Sequence, residues 1–141
     1  MKIEDLHSLY IQHGLVDTDT RNIRQNTVFF ALKGANFNGN KFAEEALSKG
    51  AKYAIIDEVK YKTSDNIILV EDVLKSLQEL ASYHRKYLNI PIIALTGSNG
   101  KTTTKELINV VLSSKYKTIA TVGNLNNHIG VPLTLLSMDS S

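Results

Sequence analysis

The sequence predicts an α/β protein with a small first unit and, after it, the opening of a second unit of phosphate-loop, parallel-sheet type. Three observations carry this. Strand-like and helix-like runs alternate along the chain. Asn89-Ile90-Pro91 interrupts the pattern, and the alternation restarts beyond it. A glycine-rich turn, Gly97-Ser98-Asn99-Gly100, then separates a short apolar run from an amphipathic helix.

Taken in order, Ile3, Leu6, Leu9 and Tyr10 recur at helical spacing over residues 3–12, and Gly14 supplies a stop. Residues 17–21 (DTDTR) read as a polar loop. Residues 27–32 (TVFFAL) are β-branched and aromatic, which suits a buried strand. Residues 33–40 form a turn-rich loop containing the Asn38-Gly39 turn pair. Phe42, Ala46 and Leu47 share one side of a helix over residues 42–49, stopped by Gly50. Residues 52–57 and 66–70 are strands. Asp72 is placed to cap a helix to about Leu88, whose Val73, Leu74, Leu77, Leu80, Ala81, Tyr87 and Leu88 follow the helical period. Pro91 pushes its predecessor out of the α region, so the boundary falls between units 1–89 and 90–141. The second unit then reads as a strand over 92–95, the glycine-rich turn, a helix to about Ser114 and a strand over 117–120, with parallel pairing.

Bulk properties exclude several classes. With 43% hydrophobic and 21% charged residues, the 141-residue chain can bury a core. A net charge of +2, with no block of like charge, gives no basic face for nucleic acid. Cysteine is absent, which removes disulfides and thiolate chemistry. The N-terminus has early acids and no signal-like apolar core, and the longest apolar run, residues 90–95, is far too short for a bilayer. A soluble, cytoplasmic protein is expected.

The glycine-rich turn carries chemistry. Gly97 and Gly100 permit backbone conformations that a Cβ would block. The amides of Gly97, Ser98, Asn99 and Gly100 can turn inward as an anion nest, and the helix that follows adds unpaired N–H groups and its dipole. Lys101 is placed to reach between β- and γ-phosphates, Thr102 to give a hydroxyl to Mg²⁺, and Thr103 to donate to a phosphate oxygen. The general pattern G-x-x-x-x-G-K-[ST] would need glycine at position 95, where this chain has Leu95.

Thr96-Gly-Ser-Asn-Gly-Lys-Thr-Thr103 resembles the phosphate-loop variant of the Mur ligases, ATP-dependent enzymes that add amino acids to the cell-wall precursor. Asp19-Thr20-Arg21 is similar to that family's N-terminal Asp-Ser-Arg loop, with Thr20 in place of the commoner Ser. Val28 to Gly34, with Phe37, Gly39, Phe42, Ala46 and Gly50-Ala51, resembles the segment after it, although Asn38 and Asn40 stand where many relatives have Asp and His. The stretch from Thr121 to Thr134 is similar to that of the branch joining D-alanyl-D-alanine to a UDP-N-acetylmuramoyl tripeptide.

The resemblance covers essentially the whole chain and implies a three-domain, monomeric peptide ligase. The part present would be the precursor-binding domain, 1–89, and the opening of the ATP-binding domain, 90–141. It implies ATP and Mg²⁺ as the reaction's needs, Lys101 and Thr102 as catalytic residues, and Thr20, Arg21, Asn126 and Asn127 as substrate-binding residues. The 141 residues alone would be inactive. Other Mur or folylpolyglutamate-type ligases, or a non-catalytic nucleotide-sugar-binding module, are the alternatives.

Two residue groups have a plainer reading. Arg21, beside Asp19 and Thr20, also suits a capped surface loop with a local ion pair. Asn124, Asn126 and Asn127 also suit a turn held by side-chain-to-backbone bonds. His7 and His84 read as part-exposed structural residues, Tyr83 and Tyr87 as packing, and no histidine has metal-ligand spacing.

Overall fold

The computed structural model describes residues 1–123 and 125–139; Asn124, Ser140 and Ser141 lie outside the described residues, and with Asn124 one of the asparagines read as turn or substrate ligands. Helix α1 (Ile3–His13) ends as expected at Gly14, whose φ of 67° lets its amide donate to the Tyr10 carbonyl at 2.6 Å. Four short parallel strands follow: β1 (Val16–Asp17), β2 (Val28–Phe30), β5 (Tyr53–Ile56) and β6 (Ile67–Leu69), in the spatial order β1-β2-β5-β6. Between β2 and β5 stand a small antiparallel hairpin, β3 (Lys33–Gly34) with β4 (Phe37–Asn38), and helix α2 (Ala43–Ser48).

Both faces of the sheet are covered, which is why its strands read as continuous apolar runs instead of alternating ones. Side-chain alternation sorts them. Val28, Phe30 and Ile55 point to the face built with Leu6 and Tyr10 of α1 and Val73, Leu77, Leu80 and Ala81 of α3 (Val73–Leu88). Phe29, Ala31, Ala54 and Ile56 point to the other, against Ala43 and Ala46 of α2. Helix α3 starts where expected, with the Asp72 carboxylate accepting from the Lys75 amide at 2.8 Å, and ends at Asn89 in the left-handed region.

The second stretch holds α4 (Lys101–Ser113) and α5 (Gly130–Leu135). Here the structure corrects the sequence reading. Residues 92–95 and 117–120, expected as parallel strands, are not in a sheet, and among the described residues no strand pairs with them. A strand exists only by its ladder bonds, and with no neighbour the apolar pattern alone makes none. Ile93 is 61% exposed, so the run before the glycine turn is not a buried strand. The apolar side of α4 is also open, with Leu107, Val110 and Val111 all largely exposed. Helix α5 behaves differently. Leu136, just past its end, is buried in the core shared by α1 and α3, with Ile129, Leu133 and Leu135 packed around it.

His7 and His84 are a second correction: both are buried. His7 Nε2 lies 3.2 Å from His84 Nδ1, and His84 Nε2 lies 2.9 Å from the Met138 carbonyl. The carbonyl can only accept, so His84 Nε2 donates to it, and the contact between His84 Nδ1 and His7 Nε2 takes one donor and one acceptor. Tyr83 and Tyr87 do pack, with ring centroids 4.8 and 5.0 Å from that of His7.

Candidate functional site

The expected site residues fall on three places in the fold. The first is the carboxyl end of β1, where the chain turns through a short 3₁₀ segment at Thr20–Asn22. Asp19 caps it, accepting from the Arg21 amide at 2.9 Å, and both Asp19 oxygens accept from the Arg21 guanidinium. Those bonds hold the Asp19 carboxyl down at about 2. The Arg21 side chain remains 85% exposed, so the pair orients a guanidinium toward solvent rather than burying it. Lys49 Nζ donates to the Thr20 carbonyl at 3.0 Å and ties the turn to the end of α2.

The second place is the glycine turn. Gly97 has φ 148° and Gly100 φ 77°, conformations that L side chains rarely adopt, and Gly100 is the cap from which α4 starts. The loop's amides and the first turn of α4 therefore sit together in the open: a Cβ on Gly100 would meet no atom within 4 Å. Lys101 folds its ammonium back onto the Gly97 carbonyl, across the mouth of the loop. Ser98, Asn99, Thr102 and Thr103 are exposed beside it. A set of backbone donors with one lysine and three hydroxyls fits a polyphosphate. Toward a divalent cation the chain offers the Thr102 hydroxyl, and among the described residues no cluster of His, Asp or Glu completes a site.

The third place is the asparagine loop. Asn127 Oδ1 accepts from the Ile129 and Gly130 amides, at 3.1 and 2.7 Å, and so holds the turn that leads into α5. Asn126 is exposed next to it. The loop's own shape thus uses the side-chain oxygen of Asn127. No hydrogen bond or ion pair among the described residues joins the Asp19–Arg21 turn to either of the other two places.

Three groups went unread in the sequence. Asn40, almost fully buried, donates to Asp57 at 2.9 Å and accepts from the Asp57 and Glu58 amides, while Lys33 pairs with Asp57 at 2.9 Å. Burial alone would push the Asp57 carboxyl up; bonds from Lys33, Asn40 and the Val73 amide outweigh it and hold the group below the ordinary range. Only the sheet brings these residues together, so no spacing could have signalled them. Lys105 lies four residues and one helical turn after Lys101, a spacing that could have signalled it. A cleft of about 370 Å³ between β1 and α5, lined by Gly14, Val16, Arg24, Leu133 and Leu136 among others, contains none of the expected site residues.

By sequence, residues 13–85 match the Mur ligase family catalytic domain and residues 95–141 match the Mur ligase middle domain. The UDP-N-acetylmuramoyl-tripeptide–D-alanyl-D-alanine ligase of Bacillus subtilis (strain 168) is 45% identical over 128 residues, which is 89% of this chain and 28% of that protein. The Escherichia coli (strain K12) enzyme of the same name is 40% identical over 123 residues, 87% of this chain and 27% of that protein. A crystal structure of MurF from Acinetobacter baumannii superposes with a TM-score of 0.79 at 36% identity, over 89% of this chain and 28% of that one. MurF ligase from Thermotoga maritima in complex with ADP gives 0.78 at 36% identity, over 86% of this chain and 28% of that one. The chain therefore spans little more than a quarter of the relatives it matches. With a family match over residues 13–85, more than half of its 141 residues, the chain belongs to the Mur ligase family.

Proposed function

We propose that the chain is the precursor-binding domain, residues 1–89, and the opening of the ATP-binding domain, residues 90–141, of a ligase that joins D-alanyl-D-alanine to a UDP-N-acetylmuramoyl tripeptide. The observation that carries the reading is the loop Gly97 to Gly100, bent by two glycines at positive φ and closed by Lys101 at the start of α4. The names of the relatives, and the ADP bound by the Thermotoga maritima enzyme, support the same assignment. The asparagine loop favours this branch over other Mur or folylpolyglutamate-type ligases.

In this reading the loop receives ATP. The terminal carboxylate of the tripeptide attacks the γ-phosphorus, forming an acyl phosphate and releasing ADP. The amine of D-alanyl-D-alanine then adds to the acyl carbon, and phosphate leaves with the C–O bond electrons as the amide forms. An unactivated carboxylate resists an amine, so the phosphoryl group supplies the leaving group. The protein positions the reactants and offsets charge. Lys101 exchanges the Gly97 carbonyl for phosphate oxygens, and the amides of Gly97, Ser98, Asn99 and Gly100 bind the same oxygens. Thr103 adds a hydroxyl donor. Thr102, with the phosphates, would hold Mg²⁺, which supplies further charge neutralisation. Arg21 and Thr20 bind the uridine diphosphate end, and Asn126 and Asn127 bind the substrate near the reacting centre. The complete ligase is read as a monomeric, cytoplasmic enzyme; for its part here, no helix among the described residues is long and apolar enough to cross a membrane.

The test is Lys101→Ala in the complete ligase, followed by acyl-phosphate formation and by binding of the UDP-sugar precursor. Loss of the first with the second intact is expected. Loss of both would make the loop a structural element instead. The 141-residue chain alone should bind the UDP-sugar precursor weakly and turn over no ATP, and measurable ligation by it would show that these residues suffice for catalysis.

A further inference from the structure

Lys105 holds its ammonium against the chain that returns along α4. Its side chain is 15% exposed, and its Nζ faces the Thr121 carbonyl, the Gly123 carbonyl at 2.9 Å and the Glu106 carboxylate at 2.8 Å. Two of the ammonium's three donors bond to carbonyls of the returning chain, and the Glu106 carboxylate adds an ion pair. One turn along the same side of α4, Asn109 Oδ1 accepts from the Thr118 hydroxyl at 2.8 Å. A polar stripe thus holds residues 118–123 along α4, on a helix whose apolar Leu107, Val110 and Val111 are exposed.

The position of this stripe gives it a consequence. Lys101 lies one turn before Lys105, so the same helix side carries the phosphate-loop cation and the tether. Gly123, at φ 55°, ends the tethered stretch, and the Leu125 amide donates to the Val122 carbonyl at 3.1 Å. Asn126 follows, and Asn127 Oδ1 accepts from the Gly130 amide at the start of α5. Residues 121 and 123 are therefore held by Lys105 to the helix that begins at the phosphate loop, and Asn127 is held to the start of α5.

We propose that Lys105 is a positioning residue: its ammonium, bound to two carbonyls of the returning chain, sets the distance between the asparagine loop and the phosphate loop. It acts through the carbonyls of residues 121 and 123 and not as a phosphate ligand. The role rests on the assignment of Asn126 to substrate binding. A lysine suits it because the returning stretch presents carbonyls, not side chains, to this ammonium. Arginine, with donors in a fork, can span both carbonyls and should substitute; methionine, of similar length and without donors, should not.

Two measurements test this. In the 141-residue chain, Lys105→Met should speed amide hydrogen exchange at residues 121–127 by ~10-fold or more, leaving α3 unchanged. In the complete ligase it should raise KM for the UDP-linked precursor by ~10-fold with KM for ATP changed less than about twofold, and Lys105→Arg should restore most of the loss. Unchanged precursor KM, or equal losses in both substrates without rescue by arginine, would overturn the proposal. Asn126→Ala separates the two claims. If it leaves precursor KM unchanged, the substrate assignment fails; if it raises KM while Lys105→Met does not, the tether fails alone.

Discussion

Gly39 and Asn40 show how much a single residue decides at the carboxyl edge of the sheet. A Cβ on Gly39 would stand 2.4 Å from the Leu32 carbonyl oxygen and 2.7 Å from the Ala31 carbonyl carbon, both backbone atoms that cannot step aside. Gly39→Ala is therefore expected to cost about 2–3 kcal/mol, read as a lower urea midpoint at unchanged slope. Asn40→Ala leaves two backbone amides and the Asp57 carboxylate short of a partner in a buried place. A loss of about 2 kcal/mol is expected from it in the same measurement. The Asn38-Gly39 pair was legible as a turn. The clamp on Asn40 was not, because its partners come from the end of a strand far along the chain, at Asp57 and Glu58.

Helices α3 and α4 make the contrast at the scale of the element. Both are amphipathic in sequence, yet α3 buries Leu77 and Leu80 completely, whereas Val110 on α4 is 67% exposed. Leu77→Ala should cost about 2–5 kcal/mol. Val110→Lys should change the stability of this chain by less than about 0.5 kcal/mol. Thermal or denaturant unfolding of the two variants checks both. Helices α1 and α3 also carry a pH dependence. Burial, and then the facing His84 ring, lowers the His7 pKa below its ordinary 6.5. The unfolded chain thus takes up a proton at a pH where the folded one resists it. The contribution is complete above about 6.5 and declines as the pH falls below that. His84, Tyr10, Tyr83 and Tyr87 are the titratable groups whose rings face His7, and none of them is a carboxylate that would offset its charge. A urea midpoint falling between about pH 7.5 and 5.5, with the fall reduced in His7→Phe, is expected.

Across the whole molecule, the segment after the asparagine loop returns to the first core. The Tyr10 hydroxyl donates to the Leu136 carbonyl at 2.6 Å, and burial followed by the Asp139 charge pushes that hydroxyl's pKa up to about 12. Tyr10→Phe removes the donor and leaves a buried carbonyl unpaired, which costs about 1–3 kcal/mol. Hydrogen exchange at residues 131–137 should then quicken by more than exchange in the sheet. Equal acceleration everywhere would mean that the segment unfolds only with the core. The apolar residues Ile129, Leu133 and Leu136 stand in the sequence at helical spacing, but the surface they cover was not legible there. Tyr10 and Leu136 lie at opposite ends of the chain, and only the fold brings them together.

The sequence by itself determined the parts whose cause is local. Gly14 and Asp72 end and start helices through bonds within one turn. The apolar runs at 28–30 and 53–56 make strands buried on both faces. Two glycines and a lysine before a helix mark out a turn of phosphate-loop type, and the short motifs on either side point to the family. Tertiary structure decided what depends on a distant partner. It buried His7 and His84 against each other, satisfied Asn40 from the end of β5, and left residues 92–95 without a ladder. It also gave Lys105 its carbonyls. The physical reason is the same in each case: periodicity and caps act over one or two turns, whereas pairing and burial need a neighbour that only the folded chain brings near.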